Sequence, residues 1–130
     1  MRVILHIGTE KTGTSSIQTY LYNNRRQLSG AGYHVLQSGG KYNSRALPAA
    51  CIRNKPDDYL RAIGVNTEEE RQAHREAVIQ GIARELAELP AGIHTVLISS
   101  EHFHSRIRSE EELGNVHQLL SRFFDEFKII

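Results

Sequence analysis

Apolar residues along this chain fall into two kinds of run. Val3-Ile4-Leu5-His6-Ile7 and the stretch from Ile93 to Ser99 are short, nearly continuous and rich in β-branched residues. That is the pattern of strands buried on both faces of a parallel sheet. Elsewhere the apolar residues recur at helical spacing. Ile17, Leu21 and Leu28 mark a first helix from about Thr14 to Leu28, which Gly30 and Gly32 break. Val78, Ile82, Leu86 and Leu89 mark a longer one, ended by Pro90 and Gly92. Thr67 to Glu70 and Ser109 to Glu112 each place a hydroxyl residue three positions before a glutamate, the capping box of a helix start. The second box leads a helix that turns Val116, Leu119, Leu120 and Phe123 inward. Tyr33 to Leu36 is a short second strand, and Phe127 to Ile130 begins a fourth. Residues 37–66, rich in Gly, Asn, Ser and Pro, carry the weakest pattern. Ser44 to Cys51 and Asp57 to Ile63 are short helix candidates there, within either a substrate-side excursion or a mobile flap.

Strands alternating with helices predict a single α/β domain over residues 1–130 with right-handed crossovers. No internal repeat or domain boundary interrupts it. In such folds ligands bind at the carboxyl ends of the strands. The loop after the first strand and the segment Ser99 to His104 after the third would open at that same edge, so both are assigned to one site.

The first of these loops carries the strongest chemical signal. Gly8-Thr9-Glu10-Lys11-Thr12-Gly13-Thr14-Ser15-Ser16 lies between a strand and a helix. Backbone N–H groups of such a loop converge on one point, and the helix N-terminus adds about half a positive charge there. Gly8 and Gly13 keep the spacing of the nucleotide-triphosphate loop G-x-x-x-x-G-K-[ST], yet the lysine stands two residues before Gly13 instead of after it. No aspartate ends the strand Thr95 to Ser100, where a triphosphatase would hold Mg²⁺. Both departures point away from Mg-ATP and towards a ligand with one short 5′-anionic group.

The segment Leu5-His6-Ile7-Gly8-Thr9-Glu10-Lys11-Thr12-Gly13-Thr14-Ser15-Ser16-Ile17-Gln18 resembles the 5′-phosphosulfate loop of the sulfotransferases. The resemblance implies a metal-free transferase with a P-loop-like parallel sheet sandwiched by helices, a three-layer α/β/α arrangement. Its co-substrate would be 3′-phosphoadenosine 5′-phosphosulfate (PAPS). Lys11, Thr12, Gly13, Thr14, Ser15 and Ser16 would then hold the donor. Lys11 would also act in catalysis, neutralising the bridging oxygen as the sulfuryl group leaves. Ser99-Ser100-Glu101-His102-Phe103 resembles, more loosely, the strand-end segment that supplies a catalytic carboxylate in carbohydrate sulfotransferases. Family members bind the 3′-phosphate with an arginine and a serine from a later strand and helix. The resemblance therefore implies that these 130 residues are the amino-terminal portion of a longer enzyme.

Attack on sulfur requires that the acceptor hydroxyl lose its proton, and a carboxylate or imidazole within hydrogen-bond reach can take it. Glu101 is the candidate base; His102 and His104 are its rivals. Two histidines at i and i+2 without a third ligand at a recognisable spacing do not make a metal site. His6 is expected to be a packed, satisfied histidine and Glu10 a surface carboxylate. Ser99 and Ser100 either touch substrate or end the strand, while Arg25 and Arg26 complement a helix dipole. The acceptor implied is a carbohydrate or another small hydroxylated molecule. A small P-loop kinase and a non-catalytic nucleotide-binding module remain as alternatives.

Composition changes this picture little. A net charge of +1 gives no general case for nucleic-acid or membrane binding. The single Cys51 forms no internal disulfide, and no apolar run approaches the ~20 residues of a membrane span. With the first strand beginning at Arg2, the expected location is cytoplasmic.

Overall fold

The structure, a computed structural model, describes residues 1–8 and 14–130, without the side chains of Thr14 and Ser15. Its four strands are β1 (Arg2–His6), β2 (Tyr33–Val35), β3 (Thr95–Ser99) and β4 (Glu126–Ile129). They form one sheet in the order β2-β3-β1-β4, with every pairing parallel. The β1–β3 register runs from Arg2 opposite Thr95 to His6 opposite Ser99. The helices are α1 (Thr14–Asn23), α2 (Arg25–Gly30), α3 (Ala46–Ala49), α4 (Asp58–Ala62), α5 (Glu68–Ala87), α6 (His102–Arg106) and α7 (Glu110–Leu120).

Side chains alternate across the sheet. Val3, His34, Val96 and Phe127 share one face by register. Helix α5 lies over it: Ile82 joins the core, and Glu85 Oε2 meets His34 Nε2 at 2.5 Å. Helix α7 lies over the same face, where the ring of His117 sits 5.1 Å from that of Phe127. The other face carries Arg2, His6, Thr95 and Ser99. The chain leaves β1 towards β2 in one direction across the sheet and leaves β3 towards β4 in the other. With right-handed crossovers those two exits run over opposite faces. The carboxyl ends of β1 and β3 therefore flank a topological switch point, where open α/β sheets bind ligands.

Local chemistry explains most element boundaries. The Thr67 box is complete: the Glu70 N–H donates to Thr67 Oγ1 at 3.1 Å and the Thr67 N–H to Glu70 Oε1 at 3.0 Å. The Ser109 box is only half made. Ser109 Oγ accepts the Glu112 N–H, but Glu112 Oε1 accepts the Arg108 N–H at 2.9 Å rather than that of Ser109. The reason is that Glu112 is fully buried and used elsewhere. Its Oε2 pairs with Lys55 Nζ at 2.8 Å and accepts the Arg53 N–H at 3.0 Å.

The single helix expected over 14–28 is two. Asn24 interrupts it at φ −105°, where its side chain donates to the Tyr20 carbonyl at 2.8 Å alongside its own backbone N–H at 3.0 Å. Arg25 and Arg26 consequently open α2, although Arg25 Nη1 still serves the end of α1 by donating to the Tyr22 carbonyl. The expected apolar stripe of α1 is also displaced. Ile17 is 42% exposed, whereas Gln18 is buried.

Residues 37–66 contribute to the core rather than standing apart from it. Leu47, Cys51 and Leu60 are buried, Arg45 pairs with Asp57 at 2.8 Å, and Asn115 of α7 donates to the Cys51 carbonyl. Burial pushes the Cys51 thiol up to about 12, so it is an inert core residue. No helix among the described residues is long and apolar enough to cross a membrane.

Candidate functional site

The carboxyl ends of β1 and β3 are joined by specific bonds. His6 Nδ1 lies 2.8 Å from Ser99 Oγ, and the Ser100 N–H donates to the His6 carbonyl at 3.0 Å. His6 is thus the satisfied histidine expected. After Ile7 the chain turns at Gly8 with φ +37°, a left-handed conformation that glycine adopts without steric cost. The chain re-enters the described residues at Thr14, where α1 begins. Thr9, Glu10, Lys11, Thr12 and Gly13 lie outside the described residues, as do the side chains of Thr14 and Ser15. Of the expected donor-binding group only Ser16 is fully described; it is exposed in the first turn of α1.

Beyond β3, Ser100 is fully buried and its Oγ accepts the His102 N–H at 3.3 Å. Both serines left open by the sequence are engaged within the fold, Ser99 with His6 and Ser100 at the start of α6. That short helix was not expected. It holds one buried apolar residue, Phe103, too few for a periodic signal. Glu101 stands at its N-cap position but makes no capping bond. Its carboxylate turns to α1 instead, where Gln18 Nε2 donates to Oε2 at 2.7 Å. On its other side Glu101 Oε1 lies 3.5 Å from His102 Nε2. His104 is exposed on α6.

Burial raises the Glu101 pKa, but other effects outweigh it: the Gln18 donor, the residue's own N–H and the charges of His102 and Arg45. The carboxyl is held below the ordinary glutamate range and is ionised at neutral pH. Arg45 acts on it from a buried position, where its Nη2 bonds Asp57 Oδ1 at 2.8 Å and Asp58 Oδ1 at 2.9 Å. The site thus presents an ionised, half-buried carboxylate at the switch-point edge of the sheet, bonded to the second turn of α1. Such a group can take a proton from a hydroxyl placed at that edge.

Sequence reasoning missed Gln18 and Arg45. Gln18 had a faint signal, a polar side chain beside Ile17 in a helix with a weak apolar stripe. Arg45 had none, since its partners stand 12 and 13 residues further on in an unpatterned segment. An apolar groove of about 720 Å³ opens elsewhere, between Leu5, Phe127 and α7; Gln18, Ser100 and Glu101 do not line it. Among the described residues no group of three or more His, Cys, Asp or Glu side chains gathers as a metal site. Comparison with protein-family models, with curated proteins and with solved structures finds no match to this chain.

Proposed function

We propose that this chain carries the 5′-phosphosulfate-binding core of a PAPS-dependent sulfotransferase, with the P-loop-like three-layer arrangement that such an enzyme uses. The acceptor is a carbohydrate or other small hydroxylated molecule. The observation that carries the reading is the position of Glu101. It lies at the carboxyl end of β3, next to the end of β1, and its ionised carboxylate bonds the helix that opens just after the Lys11 loop.

In the proposed reaction the acceptor oxygen attacks sulfur in line. The new S–O bond forms as the bond from sulfur to the bridging oxygen breaks. Glu101 takes the acceptor proton, and 3′,5′-ADP leaves with the bond's electron pair. The loop N–H groups, Thr12, Thr14, Ser15 and Ser16 hold the 5′-phosphate end. Lys11 meets the charge that develops on the leaving oxygen, an interaction stronger in the transition state than in the ground state. His102, beside Oε1, adds positive charge when protonated.

Thermal unfolding with added nucleotide tests this. The protein is expected to gain about 2.7 kcal/mol with 3′,5′-ADP at a hundred times its Kd, without Mg²⁺. Lys11→Ala should lose that gain while unfolding normally in the absence of ligand, and its transfer rate should fall about 10²- to 10³-fold. Stabilisation by Mg-ATP alone would support a kinase instead. Binding of 3′,5′-ADP with no transfer to any hydroxylated acceptor, even by a longer chain that adds the 3′-phosphate site, would leave a nucleotide-binding module.

A further inference from the structure

We propose that Gln18 is the residue that positions Glu101 as the base and couples it to the donor-side helix; this rests on the sulfotransferase reading above. Gln18 is only 4% exposed, although its neighbours Ser16, Ile17, Thr19 and Tyr20 are all exposed. A buried amide destabilises the fold unless its hydrogen bonds are met. The partner it finds is a carboxylate 83 residues away, at 2.7 Å, the length of a bond strengthened by charge. An ionised carboxylate only accepts, so the amide must present its nitrogen and not its oxygen.

Two consequences follow from this contact. The first is orientation. Gln18 occupies Oε2, which leaves Oε1, beside His102, as the oxygen that takes the acceptor proton. A carboxylate without that tether would be free to turn back and cap α6, whose first N–H groups its N-cap position faces. The second is coupling. Gln18 lies one helical turn beyond Thr14, where α1 begins after the candidate donor loop. One hydrogen bond therefore ties the base to the helix that follows that loop. Gln18 touches neither donor nor acceptor in this scheme, so it is a positioning residue.

The test uses the whole chain and two variants. Gln18→Met keeps the volume and removes the donor. Gln18→Glu keeps the shape and sets a second carboxylate against Glu101. In Gln18→Met the Glu101 carboxyl, followed by ¹³C NMR, is expected to titrate higher than in the parent protein, because the amide donor that favours its ionised form is gone. The acid limb of the pH–kcat profile should move up with it. At neutral pH kcat should fall about 10- to 100-fold through misplacement of the base, with 3′,5′-ADP affinity unchanged. Gln18→Glu should raise the Glu101 titration as well, through like-charge repulsion, and supplies the same readout if Gln18→Met does not fold. A folded variant with unmoved Glu101 titration and an unmoved acid limb would overturn the assignment and leave the sulfotransferase reading intact. A parent protein that binds no 3′,5′-ADP and transfers no sulfuryl group would remove that reading, and the role of Gln18 with it, even if the titration moved.

Discussion

Glu101→Gln is expected to lower kcat for sulfuryl transfer by about 10²- to 10⁴-fold, the range contributed by a positioned general base, while leaving 3′,5′-ADP affinity near that of the parent protein. The carboxamide has the shape of the carboxylate and can still accept the Gln18 N–H, so the bond between α1 and the end of β3 survives. What disappears is the ability to hold a proton. Affinity for the nucleotide depends on the loop and α1, which the substitution leaves in place. His102→Ala should cost less if Glu101 takes the proton as proposed, because His102 then only flanks Oε1, at 3.5 Å. Full activity of Glu101→Gln, measured under donor saturation, would remove Glu101 from the mechanism and return the role to His102 or His104.

Glu112→Ala is expected to destabilise the fold by about 3–5 kcal/mol in chemical denaturation, the cost of breaking a buried ion pair from one side. Glu112 is fully buried and holds three groups at once: Lys55 by a 2.8 Å ion pair, Arg53 and Arg108 through their N–H groups. Its removal leaves the half-buried Lys55 ammonium with only the Arg106 carbonyl, at 3.0 Å, and two backbone donors without a partner. The same carboxyl gives the fold an acid limit. Burial raises its pKa, but the Lys55 donor, the Arg108 and Arg53 N–H groups and the Lys55 charge together hold it at about 2, against the ordinary value of 4.5. The unfolded chain thus binds this proton first as pH falls. The stabilisation, about 3 kcal/mol by linkage, is fully present above pH ~4.5 and is lost as pH drops towards 2. The Glu112→Ala protein should therefore show a flatter stability profile over that window. A variant within ~1 kcal/mol of the parent, with an unchanged profile, would show that the pair contributes little.

The parts of this fold that were legible in the sequence are those where a local rule and the tertiary structure agree. Ile93 to Ser99 is apolar almost throughout because β3 sits between two other strands, and Thr67 to Glu70 caps α5 with both reciprocal bonds. The parallel α/β sheet follows from that alternation. Elements were misjudged where a long-range polar contact overrides the local pattern. Glu101 looks like the end of a strand, yet it stands at the head of α6 with its carboxylate taken by Gln18. Glu112 looks like one arm of a local box, yet Lys55 and Arg53 draw it into the core. Residues 37–66 look loose because their order comes from pairs such as Arg45 with Asp57, which no periodicity announces. The same limit applies to the site. The loop from Gly8 to Ser16 is visible as a motif, but the groups that tune Glu101 are scattered over α1, residues 43–58 and α6, and only folding brings them together.

The most direct test of the central claim is an amide NMR titration of the protein with 3′,5′-ADP in the absence of Mg²⁺. A nucleotide seated by its 5′ end at the β1–β3 edge predicts saturable shifts at Gly8, Ser16, Ser100 and Glu101, with those at β4 and the start of α5 unmoved. Saturable shifts elsewhere that leave Gly8 and Glu101 untouched, or no shifts until Mg-ATP is added, would contradict it.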